Sequence, residues 1–193
     1  MALIVITPPA TEPVSVAEAK ASPSFRVAGT TDDADIAILI KAAREMAEAI
    51  TRRALITQTL ELVLDAFPSG GIELFCPPIA SVTSIKYVDV DGVEQTLSAS
   101  LYSLDSDTEP GMVAPAYGES WPETLDQINA VRVRYVAGYG GAESVPAAIR
   151  TWIKMRAGTL YDNPQGIVVG QTVANVPRDF LDGLLDPFRI FSF

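Results

Sequence analysis

The stretch Asp32 to Arg53, DDADIAILIKAAREMAEAITRR, constrains this chain more than any other. Ile36, Leu39, Ile40, Ala43, Ala47 and Ile50 recur at spacings of three and four, so they share one face of an α-helix that needs a layer to bury it. Thr31 is placed to cap the first turn. Asp32, Asp33 and Asp35 suit the positive end of the helix dipole, and Arg52 and Arg53 the negative end. The spacing puts Lys41, Arg44, Glu45, Glu48 and Arg52 on the opposite, outer face, with Lys41–Glu45, Arg44–Glu48 and Glu48–Arg52 as i,i+4 pairs worth about 0.3 kcal/mol each. Nothing on this helix is chemically reactive, so function has to come from shape and surface.

The rest of the chain supplies the covering layer. Ser15 and Glu18 form a capping-box pair opening a short helix over Val16 to Ala21, which Pro23 stops. The apolar, proline-broken start, Met1 to Glu12, reads as an extended arm or edge strand. Past Arg53 the period changes to two, and Ile56 to Phe67 reads as a half-buried strand. Further strands are expected at Ile72–Phe75, Leu101–Leu104 and Met112–Ala114. Val82–Val90 and Val93–Leu97 flank Asp91-Gly92, the signature of a type I′ hairpin turn, and Val131–Ala137 closes the sheet region. A second good helix runs from Pro146 to about Tyr161, with Ile149, Trp152, Ile153, Arg156 and Leu160 on one face. Gly158 inside it is expected to weaken it by about 1 kcal/mol. Gly166–Val176 reads as a β-hairpin or loose segment and Pro177–Leu185 as a short amphipathic helix.

These elements make an α+β protein: a small helical bundle with a long inserted β-hairpin/β-sheet region and an extended C-terminal tail. Residues 1–54 carry the arm and core helices, 55–141 the β-rich region, and 142–193 the last helices and the tail, all within one compact domain. With 193 residues, 48% of them hydrophobic, the chain has ample material for a core. The tail Asp186–Phe193 holds Phe188, Ile190, Phe191 and Phe193, and either docks on its own domain or inserts into a partner.

Composition removes several chemistries. With no histidine there is no imidazole acid, base or metal ligand, and with one cysteine, Cys76, neither an internal disulfide nor a zinc site. Cys76, among Phe75, Pro77 and Pro78, reads as a small buried hydrophobe, with a reactive thiol the lesser alternative. Gly138, Gly140 and Gly141 fail the dinucleotide fingerprint because Glu143 holds its third glycine position. Asp105, Asp107 and Glu109 begin like a calcium loop, but Pro110 breaks the order. A carboxylate-only hydrolase is allowed by residue type, although no spacing singles out a pair. Neither a membrane span nor a secretory signal is read in the sequence, and a cytoplasmic site of synthesis is expected. No cofactor is expected.

Charge is unevenly spread. The formal net charge is −10, which opposes general binding to nucleic-acid phosphates. Lys86 to Asp126 holds one base and nine acids, a net of −8, whereas in Gln127 to Tyr161 Arg132, Arg134, Arg150, Lys154 and Arg156 face only Glu143, a net of +4. Separate patches of opposite sign suit a head-to-tail contact between copies, and equally suit two solvated surfaces.

In this order the chain resembles the head–tail connector (adaptor) proteins of tailed bacteriophages. The likeness is carried by VSVAEAK (14–20), DDADIAILIKAAREMAEAITRRALITQTLELVLDAFP (32–68), LFCPPIASVTSIKYVDVDGVEQTL (74–97), SWP (120–122), VRVRYVAGYG (131–140), VPAAIRTWIKMRAGTLYDN (145–163) and the leucine-rich close VPRDFLDGLLDPFRI (176–190). No single motif is diagnostic; their order is. The resemblance implies a non-enzymatic virion protein of the phage neck. It implies a homo-oligomeric ring of twelve subunits beneath the portal, offering a platform to a stopper or tail-completion protein and passing DNA without specific binding or any membrane contact. It makes Phe188, Arg189, Ile190, Phe191 and Phe193 the candidates for contact with the portal. Lys41, Arg44, Glu45, Glu48, Arg52, Arg132, Arg134, Arg150, Lys154 and Arg156 become the candidates for the contact between subunits. A stopper or tail-terminator ring is the neighbouring alternative. The chain departs from the smallest members in the length of its β region, Ile56 to Ala137.

Overall fold

The computed structural model describes residues 1–25, 27, 29–163 and 182–190. Among the described residues, three α-helices and eight strands in two antiparallel sheets make the fold α+β. The described residues divide into two compact units, one built from Met1–Ala10 and Thr57–Tyr139, the other from Thr11–Ile56 and the described residues between Gly140 and Ile190.

The first unit is the β region. Its larger sheet has the order β1-β2-β8-β4-β5, with β1 Ala2–Thr7, β2 Gln58–Leu64, β4 Ile79–Val88, β5 Glu94–Thr96 and β8 Val131–Ala137. The smaller sheet has the order β3-β7-β6, from β3 Ile72–Leu74, β6 Tyr102–Asp105 and β7 Gly111–Pro115. Period-two alternation sorts the larger sheet's faces. Leu60, Leu62, Ile85, Val131, Val133, Tyr135 and Ala137 lie on one face and are buried. β8, the last strand in the chain's sheet region, lies at the centre of the sheet between β2 and β4. The fully buried Tyr135 donates its hydroxyl to the Phe75 carbonyl at 2.9 Å, and burial pushes its phenol far above the usual range. Cys76, the next residue, is half-buried at φ 60°.

The turn between β4 and β5 differs from the expected type. Only Gly92 takes positive φ (82°), whereas a type I′ turn needs it at both central residues. Asp89 is the reason. Its backbone pairs with Val93 and Gly92, and its carboxylate accepts the Asp91 and Val93 amides at 3.1 and 2.9 Å, giving a three-residue loop with glycine in the left-handed position.

The second unit is the helical one: α1 Val16–Ala21, α2 Asp33–Thr51 and α3 Ala147–Asp162. Ser15 caps α1 by accepting the Glu18 amide at 3.1 Å. In α2, Ile36, Ile40, Ala43 and Ala47 are fully buried, and they face Ile149, Trp152, Ile153 and Ala157 of α3. Asp32, not Thr31, stands at the N-cap, and its carboxylate accepts the Tyr161 hydroxyl at 2.7 Å instead of a helix amide. Arg52 ends the helix in the left-handed conformation, φ 58°. Gly158 is a packing position: a Cβ there would run into the Ser24 carbonyl. The segments expected at Gly166–Val176 and over most of Pro177–Leu185 lie outside the described residues.

Candidate functional site

The described residues hold no group of three or more acidic or thiol side chains able to hold a metal ion. Asp105, from the calcium-like run, accepts the Asp107 and Thr108 amides at 2.9 and 3.2 Å and so closes its own loop. Among the described residues, no helix is long and apolar enough to cross a membrane. The residues singled out in the sequence lie on three segments: α2, the basic stretch and the tail.

On α2, the outer-face reading is corrected for two residues. Arg44 is 4% exposed. It donates from Nε to Glu12 at 2.7 Å and from Nη1 to Glu48 at 2.5 Å, while the other Glu48 oxygen accepts the Leu55 amide at 2.9 Å. The spacing of the helix did not show the chain before and after α2 folding back over this side. Lys41, Glu45 and Arg52 remain exposed, with Ile38, 65% exposed, beside them on the same stripe.

The basic segment is largely neutralised within the chain, and its members fall in both units. Arg132 and Arg134 lie on the solvent face of β8 and converge on Glu61 of β2, with contacts of 2.7 to 2.9 Å. Burial raises the Glu61 carboxyl, but hydrogen bonds from Arg134 and then Arg132 outweigh it and hold it below its ordinary value. In the helical unit, Arg150 donates to both oxygens of Glu18 at 2.9 Å and to Glu143 at 3.1 Å, and Lys154 reaches Glu18 at 3.3 Å. Arg156 is half-buried on α3. Glu61 alone under Arg132 and Arg134 leaves one positive charge over, whereas Glu18 and Glu143 together balance Arg150 and Lys154.

The tail candidates separate. Asp186–Phe188 forms one 3₁₀ turn, and Leu185 before it is fully buried. Arg53 Nε donates to the Phe188 carbonyl at 2.6 Å, and the Ile190 amide donates to the Thr51 carbonyl at 3.0 Å, so this segment docks on the end of α2. Arg189 pairs with Asp186 at 3.0 Å. Phe188, Arg189 and Ile190 are half-buried; Phe191 and Phe193 lie outside the described residues.

One surface was missed at the sequence level. All six residues of β1 are exposed, among them Leu3 (40%), Ile4 (42%), Val5 (54%) and Ile6 (39%). The register places Leu3 and Val5 beside Leu62 and Leu60 on the buried face of the sheet, and Ile4 beside Glu61 on the solvent face. Both faces of β1 and its outer edge are therefore open and apolar. The signal was present as the uncharged run ALIVIT, which does not alternate as an edge strand with one solvated face should.

No family model matches the sequence, and no curated protein matches it. Solved structures do match its fold along the full length. A chain in the neck of an empty gene transfer agent particle, computed with C6 symmetry, aligns at a TM-score of 0.80 and 21% identity over 100% of this chain and 97% of that one. A chain of the native gene transfer agent virion aligns at 0.78 and 24%, and one in the native particle's neck, computed with C12 symmetry, at 0.76 and 22%, both with the same coverage.

Proposed function

We propose that this chain is a structural protein of the neck of a tailed phage or phage-like particle, one of a ring of identical copies that continues the DNA channel between the portal and the tail. The carrying observation is the fold likeness over the whole chain, at TM-scores of 0.76 to 0.80, to chains of the gene transfer agent particle and its neck. The ordered motifs of the sequence support the same reading independently. Neck structures computed with C6 and C12 symmetry suit a ring of twelve.

In this reading the protein is not an enzyme. The exposed stripe Lys41, Glu45 and Arg52 and the basic side chains Arg132, Arg134, Arg150, Lys154 and Arg156 lie between copies, opposite the acidic loops of a neighbour. Arg44 and Glu48 support the stripe from beneath. The docked segment Phe188, Arg189 and Ile190, with Phe191 and Phe193 beyond it, faces the portal. A net charge of −10 lets DNA pass without sticking.

The test is cryo-electron microscopy of the particle neck with this chain traced. A ring in direct contact with the portal supports the adaptor role. A ring separated from the portal by another protein makes it the stopper or tail-terminator component instead, and absence of the chain from the neck overturns the reading.

A further inference from the structure

We infer that β1 of one copy adds, by parallel strand pairing, to the β5 edge of the next copy, joining the larger sheets head to tail around the ring. The inference rests on the ring reading above.

Natural edge strands are guarded by charge, proline, or bulges within the strand. Between Ala2 and Thr7 there is no charged residue and no proline, and the one irregularity, between Val5 and Thr7, falls at the end of the strand. Leu3, Ile4, Val5 and Ile6, at 39 to 54% exposure, present on the order of 300 Å² of apolar surface, within the range of a functional patch. A stable pairwise interface needs about 800 Å² per partner. One strand is thus too little to hold a dimer in solution but enough to serve as one part of a larger contact between copies.

The symmetry of a ring decides where the strand goes. A cyclic assembly of more than two copies uses heterologous contacts, so β1 must meet a surface other than its neighbour's β1. The opposite edge of the same sheet is that surface. All residues of β5 are exposed, its one charge, Glu94, is paired with Lys86 of β4 at 2.8 Å, and Val90 (56%) and Val93 (53%) add apolar surface between the acids of the adjoining hairpin tip. The farther part of β4, which β5 does not cover, is a worse acceptor because two register shifts break it between Ile79 and Ser84. Every neighbouring pair in this five-stranded sheet is antiparallel, and four such steps leave β1 and β5 pointing the same way. Copies related by rotation about a ring axis then bring these edges together in parallel.

The test uses the full-length chain, concentrated alone and also assembled on its portal, in a Cys76→Ser background. A cysteine at Ile4 or Val5 is combined with one at Val93 or Gln95 and joined with a short bismaleimide. A ladder rising from dimer to closed ring is expected from the double variants, and only monomer from each single variant. Ile4→Lys with Val5→Lys should leave circular dichroism unchanged and raise the concentration for half-assembly by about tenfold or more. Rings without a ladder, dimers from the Val5 cysteine alone, or unimpaired assembly of the lysine variant overturn the inference and leave the ring reading standing. Absence of rings in both wild-type preparations overturns the two together.

Discussion

Arg44 Nη1 and Glu48 Oε2, one helical turn apart on α2, meet at 2.5 Å beneath the surface of the helical unit. A surface i,i+4 pair is worth a few tenths of a kcal/mol, but this one is part of a junction. Arg44 also binds Glu12 ahead of the helix, and Glu48 also binds the Leu55 amide behind it.

Arg44→Ala should therefore destabilise the helical unit by about 3 kcal/mol, because it strands carboxylates that are partly buried. Glu48→Gln keeps an acceptor for the Leu55 amide and should cost clearly less. Urea unfolding followed by circular dichroism measures both. If Arg44→Ala leaves the transition midpoint unchanged, the junction carries no stability.

Glu61 should give the β region an acid-sensitive step. Its folded-state carboxyl is held below the ordinary value of 4.5 by Arg134 and Arg132 despite the upward push of burial. A carboxyl lowered in this way adds stability that is fully present above its unfolded value and is lost as pH falls through the lower folded one. At pH 7 Glu61→Gln should be less stable than wild type by about 2 kcal/mol, the scale of hydrogen bonds to a charged group. The two should converge as pH falls through the lowered folded-state value of Glu61. A constant difference across the titration would show that the arginines act through packing alone.

Gly158 reverses a general rule. Glycine to alanine inside a helix normally stabilises by about 1 kcal/mol. Here the added methyl meets the Ser24 carbonyl, so Gly158→Ala should destabilise by about 1 to 3 kcal/mol, the range for overpacking. Thermal melts decide it by the sign of the shift in Tm.

What was legible in the sequence follows the range of the forces involved. Val131–Ala137 and Val16–Ala21 have their expected bounds because alternation and a Ser15–Glu18 cap are local signals. The type I′ turn failed because Asp89, two residues upstream, took the amides that define the loop. Arg44 was misplaced because Glu12, thirty-two residues away, supplied the carboxylate that draws it inward. Gly158 reads as a weak point until Ser24 is seen against it. Of the surface candidates, Lys41, Glu45 and Arg52 were placed correctly as exposed, since one helix's geometry suffices for that. The exposure of β1 had a local signal in the non-alternating run ALIVIT, but a run without charge reads equally as a strand buried on both faces.

The segment Asp186–Ile190 can be tested apart from any portal contact. Among the described residues its backbone is held to the end of α2 by Arg53 Nε donating to the Phe188 carbonyl and the Ile190 amide donating to the Thr51 carbonyl. Only the first depends on a side chain. Arg53→Ala should free the segment and speed limited proteolysis between Asp182 and Ile190. The unit's unfolding free energy should fall by about 1 to 3 kcal/mol, the desolvation penalty of a stranded carbonyl. Phe188→Ala leaves that backbone bond in place and removes only the ring, so it should change proteolysis little. If Phe188→Ala weakens ring attachment to the portal while Arg53→Ala alone loosens the fold, docking on α2 and binding the partner are separate jobs of adjacent residues. If both variants loosen the fold equally, Phe188 belongs to the core and its place among the portal candidates is lost.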